Sequence, residues 1–222
     1  MAKRRKVYFA VIGDLVRSRQ LGNRAEVQDR FQDAIEGVNG KALPRLAVPL
    51  KLTSGDEVQG LSLEPEVLMD VIFELSDAVF PAEVSWGLGK GPVATSLKQD
   101  VSAIDGPCFH RAREAVERAK ATSTWFQARG LPKQDEMVLA GLMNLIGAIR
   151  AGWTRRQAEV VRKARSKRNQ AELAEDLGVN KSTVSRTLSS AHYEHVVDGE
   201  EVARILVGRL RGVSQPGSSD GD

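Results

Sequence analysis

The first 121 residues alternate between strand-like and helix-like patterns, and this order constrains the fold more than any other feature of the sequence. Residues 7–12 form a short apolar run rich in β-branched and aromatic side chains, which predicts a buried strand. Residues 23–38 carry apolar side chains at helical spacing, which predicts an amphipathic helix. Residues 47–52 and 58–63 then predict two strands joined by a turn over residues 53–57.

The same kind of alternation continues beyond this hairpin. Residues 65–80 predict a second amphipathic helix that begins with a proline, residues 83–88 a further strand, and residues 106–121 a further helix. The resulting order, βαββαβ, is that of a ferredoxin-like or polymerase-palm sheet. We therefore predict an α+β protein whose first domain, over residues 1–130, has a palm-type sheet.

A break near residue 130 separates this unit from a helical second half. Gly130 and Pro132 interrupt the pattern, and the sequence beyond them is helical in character. We predict an all-α domain over residues 131–211. The last residues, 212–222, are rich in Gly, Ser and Asp, which predicts a disordered tail.

Three acidic residues border the strands of the predicted sheet. Asp14 ends the first strand, and Asp56 and Glu57 lie in the hairpin turn. The first strand and the central hairpin lie side by side in a palm-type sheet, so these carboxylates are expected to meet. Neighbouring carboxylates repel one another, and a divalent cation relieves the repulsion while bridging them to phosphate. We predict a Mg²⁺ or Mn²⁺ site here, although Gly-Asp and Gly-Asp-Glu are also ordinary turn sequences.

Glycines and arginines near these acids suggest a phosphate-binding function. Gly13 and Gly55 precede the acids and would allow close approach of the backbone to a phosphate group. Arg111 and Arg113, on the helix predicted over residues 106–121, are candidate phosphate-binding cations. The alternative is that both arginines are simply solvated. A nucleotide or phosphate ligand is the predicted partner of this site.

The second half contains a pattern typical of a helix-turn-helix. Ala174 is small where two helices would cross, Gly178 lies where the turn needs positive φ, and Asn180 can cap the second helix. The shared apolar core is predicted to consist of Leu173, Leu177, Val184 and Leu188.

This pattern leaves polar side chains on the outer face of the second helix, and they suit the reading of bases in the major groove. They are Lys181, Ser182, Thr183, Ser185 and Arg186. Upstream, Arg165, Lys167 and Arg168 are expected to meet phosphates. Residues 150–195 hold ten Lys/Arg against five Asp/Glu, a charge of +5 that leaves −2 for the rest. Double-stranded DNA is the predicted partner, and the alternative is a helical hairpin that contacts protein.

Several motifs resemble those of nucleotide cyclases. Residues 50–56 resemble the metal-binding hairpin of class III nucleotide cyclases, and residues 55–57 the signature hairpin of GGDEF diguanylate cyclases. Residues 86–93 look like the glycine-bearing strand that follows in the cyclase fold. In order and spacing, residues 12–119 resemble the SatD family of bacterial proteins. That family pairs such a domain with a C-terminal DNA-binding helix pair.

The chain also departs from the cyclase pattern. Leu52 stands where cyclases usually carry a base-selecting lysine. His110 and Glu114 stand at the positions that resemble a cyclase asparagine and arginine. That arginine would neutralise charge on the transferring phosphoryl group, so an acid in its place argues against ordinary cyclase turnover.

These observations lead to one leading function and two alternatives. We predict a DNA-binding transcriptional regulator whose cyclase-like domain senses a nucleotide or phosphate ligand with a divalent metal. The first alternative is an active nucleotidyl cyclase or nucleotidyltransferase that its helical domain localises. The second is an adaptor in which both halves serve assembly.

Cysteine content and apolar run length bear on the cellular compartment. With a single cysteine, Cys108, the chain has no internal disulfide, which favours a reducing cytoplasm. The apolar run near the start is too short for a membrane span. A homodimer is expected by analogy, because cyclase-like domains often act as dimers.

Overall fold

A computed structural model describes residues 6–17, 23–53, 56–97, 100–166 and 169–212. The strands are β1 (Val7–Leu15), β2 (Val48–Thr53), β3 (Glu57–Ser62), β4 (Val84–Pro92) and β5 (Phe126–Arg129). The helices are α1 (Arg24–Ala42), α2 (Pro65–Val79), α3 (Pro107–Ala121), α4 (Lys133–Ala151), α5 (Arg155–Ala164), α6 (Gln170–Asp176), α7 (Lys181–Ser190) and α8 (Tyr193–Arg209). The predictions for Gly55, Lys167, Arg168 and residues 213–222 lie outside the described residues.

The five strands form one mixed sheet in the order β2-β3-β1-β4-β5. The central strand β1 pairs antiparallel with β3 and β4, and β5 pairs parallel with β4. The predicted α+β class and the βαββαβ order are confirmed. The sequence did not predict β5, because its four residues are too few to show a period-2 alternation.

Alternating side chains of β1 build two different layers. Phe9, Val11 and Leu15 join a large apolar cluster with α1 and α2 on one face. Tyr8, Ala10 and Ile12 point to the opposite face, where α3 covers the sheet. Strand β4 carries glycines at alternate positions, and a side chain at Gly87 or Gly89 would collide with the α3 backbone. Helix α3 therefore lies directly on the middle of the sheet.

The helices that follow the sheet pack against it rather than standing apart. Buried apolar residues of α5, α6, α7 and α8 belong to the same cluster as those of α1 and α2. Helix α8 packs on both α2 and α4. The chain changes from strand to helix between Arg129 and Lys133, at the predicted boundary, while the separate folding of the two parts stays a prediction.

A buried cluster of charges joins the two parts, and it consists of Asp77, Arg150, Arg165 and Glu200. Asp77 of α2 lies 2.5 Å from Arg150 of α4 and 2.6 Å from Arg165. Glu200 of α8 lies 2.6 Å from Arg165 and 3.7 Å from Arg150. The Arg150 guanidinium also lies 5.4 and 5.1 Å from the ring centres of Trp125 and Trp153. One buried carboxylate from the first part of the chain thus holds two arginines from the second.

None of the helices within the described ranges has the length and apolar character needed to cross a membrane.

The buried cluster predicts a large cost for removing its central carboxylate. The side chain of Asp77 is only 6 % exposed, so Asp77→Ala removes a carboxylate partner from the buried Arg150 and the partly buried Arg165. We expect the free energy of unfolding to fall by about 3–5 kcal/mol, measured by urea denaturation.

Glu74 on the same helix provides the matched control. It pairs with Lys41 on the surface, where both side chains are largely exposed. Glu74→Ala should therefore change stability by about 1 kcal/mol or less. Equal effects of the two substitutions would contradict a structural role for the buried cluster.

Candidate functional site

The register of β1 and β3 brings two of the predicted acids together. Strand β1 continues through Asp14 to Leu15, and Asp14 is the direct partner of Glu57 at the start of β3. Directly opposed residues on antiparallel neighbours project to the same face, here the face that α3 covers. The sequence pattern predicts that the first strand ends at Gly13-Asp14 and that Glu57 lies in the turn. Both acids are instead strand residues, because strand pairing continues past them.

Two cations from α3 complete this carboxylate site. The Lys120 Nζ donates to Asp14 Oδ2 at 2.8 Å. The Arg113 guanidinium binds Glu57 through both of its terminal nitrogens, one of them 2.6 Å from Oε1. Arg113, Glu117 and Lys120 recur at helical spacing and so lie on one face of α3. The sequence analysis missed Lys120, although its spacing of seven residues from Arg113 was the available signal.

Glu57 is fixed as an anion by its surroundings. Its Oε1 also accepts hydrogen bonds from Gln59 at 2.8 Å and from Thr53 at 3.2 Å. Burial acts to raise the pKa of Glu57, but the hydrogen bonds from Arg113 and Gln59 outweigh it and hold the pKa below its usual value. Glu57 therefore orients Arg113, and its oxygens are already engaged.

Asp14 is perturbed in the opposite direction. Burial raises the pKa of Asp14, Lys120 opposes this, and repulsion from Asp56 and Glu57 adds to it. With Glu117 counted, three carboxylates pair with the two cations of α3, and Asp56 lies close enough to repel Asp14. The site thus carries an excess of negative charge that an added cation would neutralise.

The fit of a divalent cation differs among the three predicted ligands. Within the described ranges, no three or more His, Cys, Asp or Glu side chains are arranged to hold a metal ion. Glu57 fits poorly because Arg113 occupies both of its oxygens. Asp14 and Asp56 lie close enough to interact, and one or two carboxylates suffice for Mg²⁺ when phosphate or water fills the other positions. The metal site at Asp14, Asp56 and Glu57 stays a prediction.

Two of the predicted nucleotide-binding residues, Gly13 and Arg111, contact other parts of the fold. Gly13 faces away from Asp14, and a side chain there would collide with the ring of Trp86. Packing against Trp86 therefore accounts for a glycine at this position, and the approach of a phosphate to its backbone stays a prediction. Arg111 donates to the carbonyl oxygen of Lys90 at 2.7 Å and a Cβ at Gly130 would touch its side chain, so it lies on the β4–β5 side of α3. Of the two predicted arginines, only Arg113 faces the carboxylates.

The two cyclase-like positions of α3 are also occupied elsewhere. His110 lies 2.7 Å from Asp105, and Glu114 accepts a hydrogen bond from Arg129 at 2.8 Å.

The second candidate site is the helix pair α6–α7. Gly178 has φ of +62° in the turn between the helices, and Asn180 accepts a hydrogen bond from the Thr183 backbone at 2.8 Å. Leu173, Ala174, Val184 and Leu188 are buried, and Leu177 packs against them. The predicted turn, cap and apolar core of this pair are confirmed.

The outer face of α7 is polar and accessible. Lys181, Ser182, Ser185 and Arg186 are exposed. Thr183 is partly buried, and its hydroxyl donates to Asn180 at 2.8 Å, so it belongs to the helix cap. Contact of these residues with DNA stays a prediction.

Arg165 is placed differently from the sequence-based expectation. It was expected to meet DNA phosphates from a loop, yet it forms a two-bond ion pair with Glu200 at 2.6 and 2.7 Å. Its contact with Asp77 ties it further to the buried cluster. Sequence alone shows a basic run here, and only the packing of α8 reveals the buried acid. We leave Arg165 out of the proposed DNA surface.

The described structure therefore defines a mixed α+β protein with a charged site at one end of a five-stranded sheet and a set of helices packed behind it. The chain belongs to the SatD family, because the model of that family matches residues 8–206. This confirms the family resemblance. No curated protein matches the sequence.

A structural neighbour is a bacterial light-regulated adenylyl cyclase. It shares 12 % sequence identity with this chain, at a TM-score of 0.41. The match covers 57 % of this chain and 77 % of the cyclase chain.

The opposite pKa shifts predict opposite effects of neutralising the two acids. The raised pKa of Asp14 means that the native state binds more protons than the unfolded state between the two pKa values. Stability from this group therefore falls as pH rises through that window. Asp14→Asn should have a melting temperature at pH 7 equal to or above that of the unmodified protein.

Glu57→Gln should behave in the reverse way. Because the pKa of Glu57 is lowered, its ionised carboxylate stabilises the native state. This contribution is present above pH 4.5, the usual pKa of the group, and is lost as the pH falls through the folded-state pKa. The variant should melt at a lower temperature at pH 7, and the deficit should shrink in acid. Thermal unfolding at pH 7 and at an acidic pH measures this difference in melting temperature. Equal destabilisation by Asp14→Asn and Glu57→Gln at pH 7 would contradict the opposite directions of the two pKa shifts.

Proposed function

We propose that this protein is a DNA-binding regulator in which α6 and α7 act as a helix-turn-helix and α7 enters the major groove. The observation that carries the proposal is the division of α7 into two faces. Val184 and Leu188 are buried against the rest of the helical part, whereas Lys181, Ser185 and Arg186 are exposed. A helix that reads base edges needs this separation between a packed side and an accessible polar side.

The composition of the exposed face supports DNA over a protein partner. Its accessible side chains are short hydroxyls and cations, which can donate to base edges and phosphates. Residues 150–195 carry a charge of +5 by sequence. A helical hairpin built for protein contact would instead expose apolar side chains at the centre of the face.

The DNA proposal predicts a salt-sensitive interaction. Duplex affinity should fall steeply as salt rises, because cationic side chains displace counterions from phosphates. Arg186→Ala should cost about 1–3 kcal/mol at a specific site if this arginine reads a guanine edge. Fluorescence anisotropy on genomic fragments, with the full chain, measures both effects.

Arg24→Ala is the matched control for this experiment. Arg24 is exposed at the start of α1, so its loss removes the same charge from a different surface. Affinity should then change little. Absence of binding at low salt, or equal losses in the two variants, would favour the adaptor function for the helix pair.

We further propose that the carboxylate site binds a nucleotide or phosphate ligand together with Mg²⁺ or Mn²⁺. Asp14 and Asp56 would hold the cation, whereas Arg113 and Lys120 would face the phosphate oxygens. The internal ion pairs of the site support this, because phosphate can replace a carboxylate as partner of Arg113 or Lys120. The cation would at the same time neutralise the excess negative charge.

Ligand binding predicts a thermal shift. A nucleoside triphosphate with Mg²⁺ should stabilise the native state by about 2.7 kcal/mol at a ligand concentration of 100 times Kd. The double variant Asp14→Asn with Asp56→Asn should lose the shift, because the cation loses its anchors. Asp29→Asn with Asp33→Asn on the exposed side of α1 is the charge-matched control and should retain it. An unchanged shift in the first double variant would rule out these acids as ligands.

One observation favours a catalytic alternative. The Arg113 guanidinium faces the carboxylates from α3, where it can neutralise charge on a phosphoryl group, although Glu114 stands at the position that resembles the cyclase arginine. Incubation with ATP or GTP and Mg²⁺ or Mn²⁺ distinguishes the alternatives. Binding without product supports sensing, and product that disappears in Arg113→Ala supports a nucleotidyl cyclase or nucleotidyltransferase.

A further inference from the structure

The outer side of α4 and α8 carries an unusual concentration of exposed apolar side chains. Met137 and Leu145 of α4 are 70 % and 68 % exposed, and Val202 and Ile205 of α8 are 52 % and 47 % exposed. With Val138, these are five of the eight large apolar residues that are exposed in the described part of the chain. We call this set the α4–α8 face, and contiguous apolar surface of this kind marks interaction sites.

The two helices form one continuous surface. They run antiparallel, because Arg150 at the end of α4 lies near Glu200 in the first half of α8, and Asp135 and the Leu210 carbonyl both lie near Lys90. Gly199 brings the helices close, since a side chain there would touch Leu142 and Ile146. Leu145 and Val202 each follow a residue of this contact by three positions, so they lie beside the place where the two helices meet.

Two charges stand at the ends of the apolar stripe on α8. Asp198, Val202, Ile205 and Arg209 follow one another at spacings of four, three and four residues, so they lie on one side of the helix. All four are exposed. Within the described ranges, no ion pair is recorded for Asp198 or Arg209, although most other charged residues of α8 have one.

This stripe is complementary to itself when it is reversed. Its order along the chain is acid, apolar, apolar, base, and its midpoint lies between Ala203 and Arg204. In an antiparallel pair of α8 helices, Asp198 would meet Arg209 of the partner subunit, and Val202 would meet Ile205 of the partner subunit. A surface in which residue i contacts j and j contacts i is what a two-fold dimer requires.

We propose that the α4–α8 face is a homodimer interface in which two α8 helices cross antiparallel about a two-fold axis near Ala203. The apolar side chains of both helices form its centre, and two Asp198–Arg209 pairs form its rim. This proposal does not depend on the proposed DNA or nucleotide functions. The partner is a second copy of this chain, because the charge order of the α8 stripe is complementary to its own reverse.

Sedimentation equilibrium of the full chain, without DNA or nucleotide, tests the proposal. The unmodified protein should reach twice its 24.2 kDa chain mass at micromolar concentrations. Val202→Glu should raise the dimer dissociation constant at least about tenfold, because it places two like charges at the centre of the interface.

Charge reversal tests the antiparallel register. Asp198→Arg and Arg209→Asp should each weaken the dimer, and the double reversal should restore it, because the pairs are then re-formed with opposite polarity. Asp33→Arg, exposed on α1, makes the same change of charge on a different helix; it is the control and should leave the dimer unchanged. Circular dichroism verifies that each variant is folded.

Three outcomes would overturn the proposal. One is a chain that stays monomeric at all concentrations. Another is a dimer that tolerates Val202→Glu, which would assign the interface to a different surface. The third is a double reversal that fails to restore association, which would exclude the antiparallel crossing of α8.

Discussion

The position of the helical part relative to the sheet depends on one buried interaction, the contact of Asp77 with Arg150 and Arg165. Two arginines and two carboxylates from four chain segments meet where little water can screen them. Such a cluster is stable only when its geometry supplies every charge with a partner. The tryptophan rings beside Arg150 take up the remaining apolar surface of its guanidinium. The helices are therefore fixed by specific charges as well as by apolar packing.

The carboxylate site is organised by a different constraint, the opposition of Asp14 and Glu57 across β1 and β3. The two acids differ in environment although they are neighbours. Glu57 is held ionised by Arg113 and two further donors, whereas burial raises the pKa of Asp14. Arg113 and Lys120 are both paired with these carboxylates, and such pairs can be exchanged for pairs with the phosphate oxygens of a ligand. This property supports the proposed phosphate and metal site without defining the ligand.

Glycines of the central strands determine which residues reach that site. Gly87 and Gly89 let α3 approach β4 closely, and this closeness brings Arg113 and Lys120 over the end of the sheet. Gly13, by contrast, makes room for Trp86 on the opposite face. Glycines that look alike in the sequence thus have different structural roles, because the group that packs against each one comes from a distant segment of the chain.

Local features of this protein follow from its amino-acid sequence, whereas the roles of its charged residues follow from the way in which distant segments pack. Apolar periodicity predicted the βαββαβ order, and the residues at Gly178 and Asn180 predicted the turn and cap of α7, because these depend on neighbours a few positions away. Three pairings were not predictable in this way: Asp14 with Lys120, Glu57 with Arg113, and Arg165 with Glu200. Each joins residues 35 to 106 positions apart. A charged side chain carries the same local signal whether it faces solvent or a buried partner, so only the packed fold assigns its role.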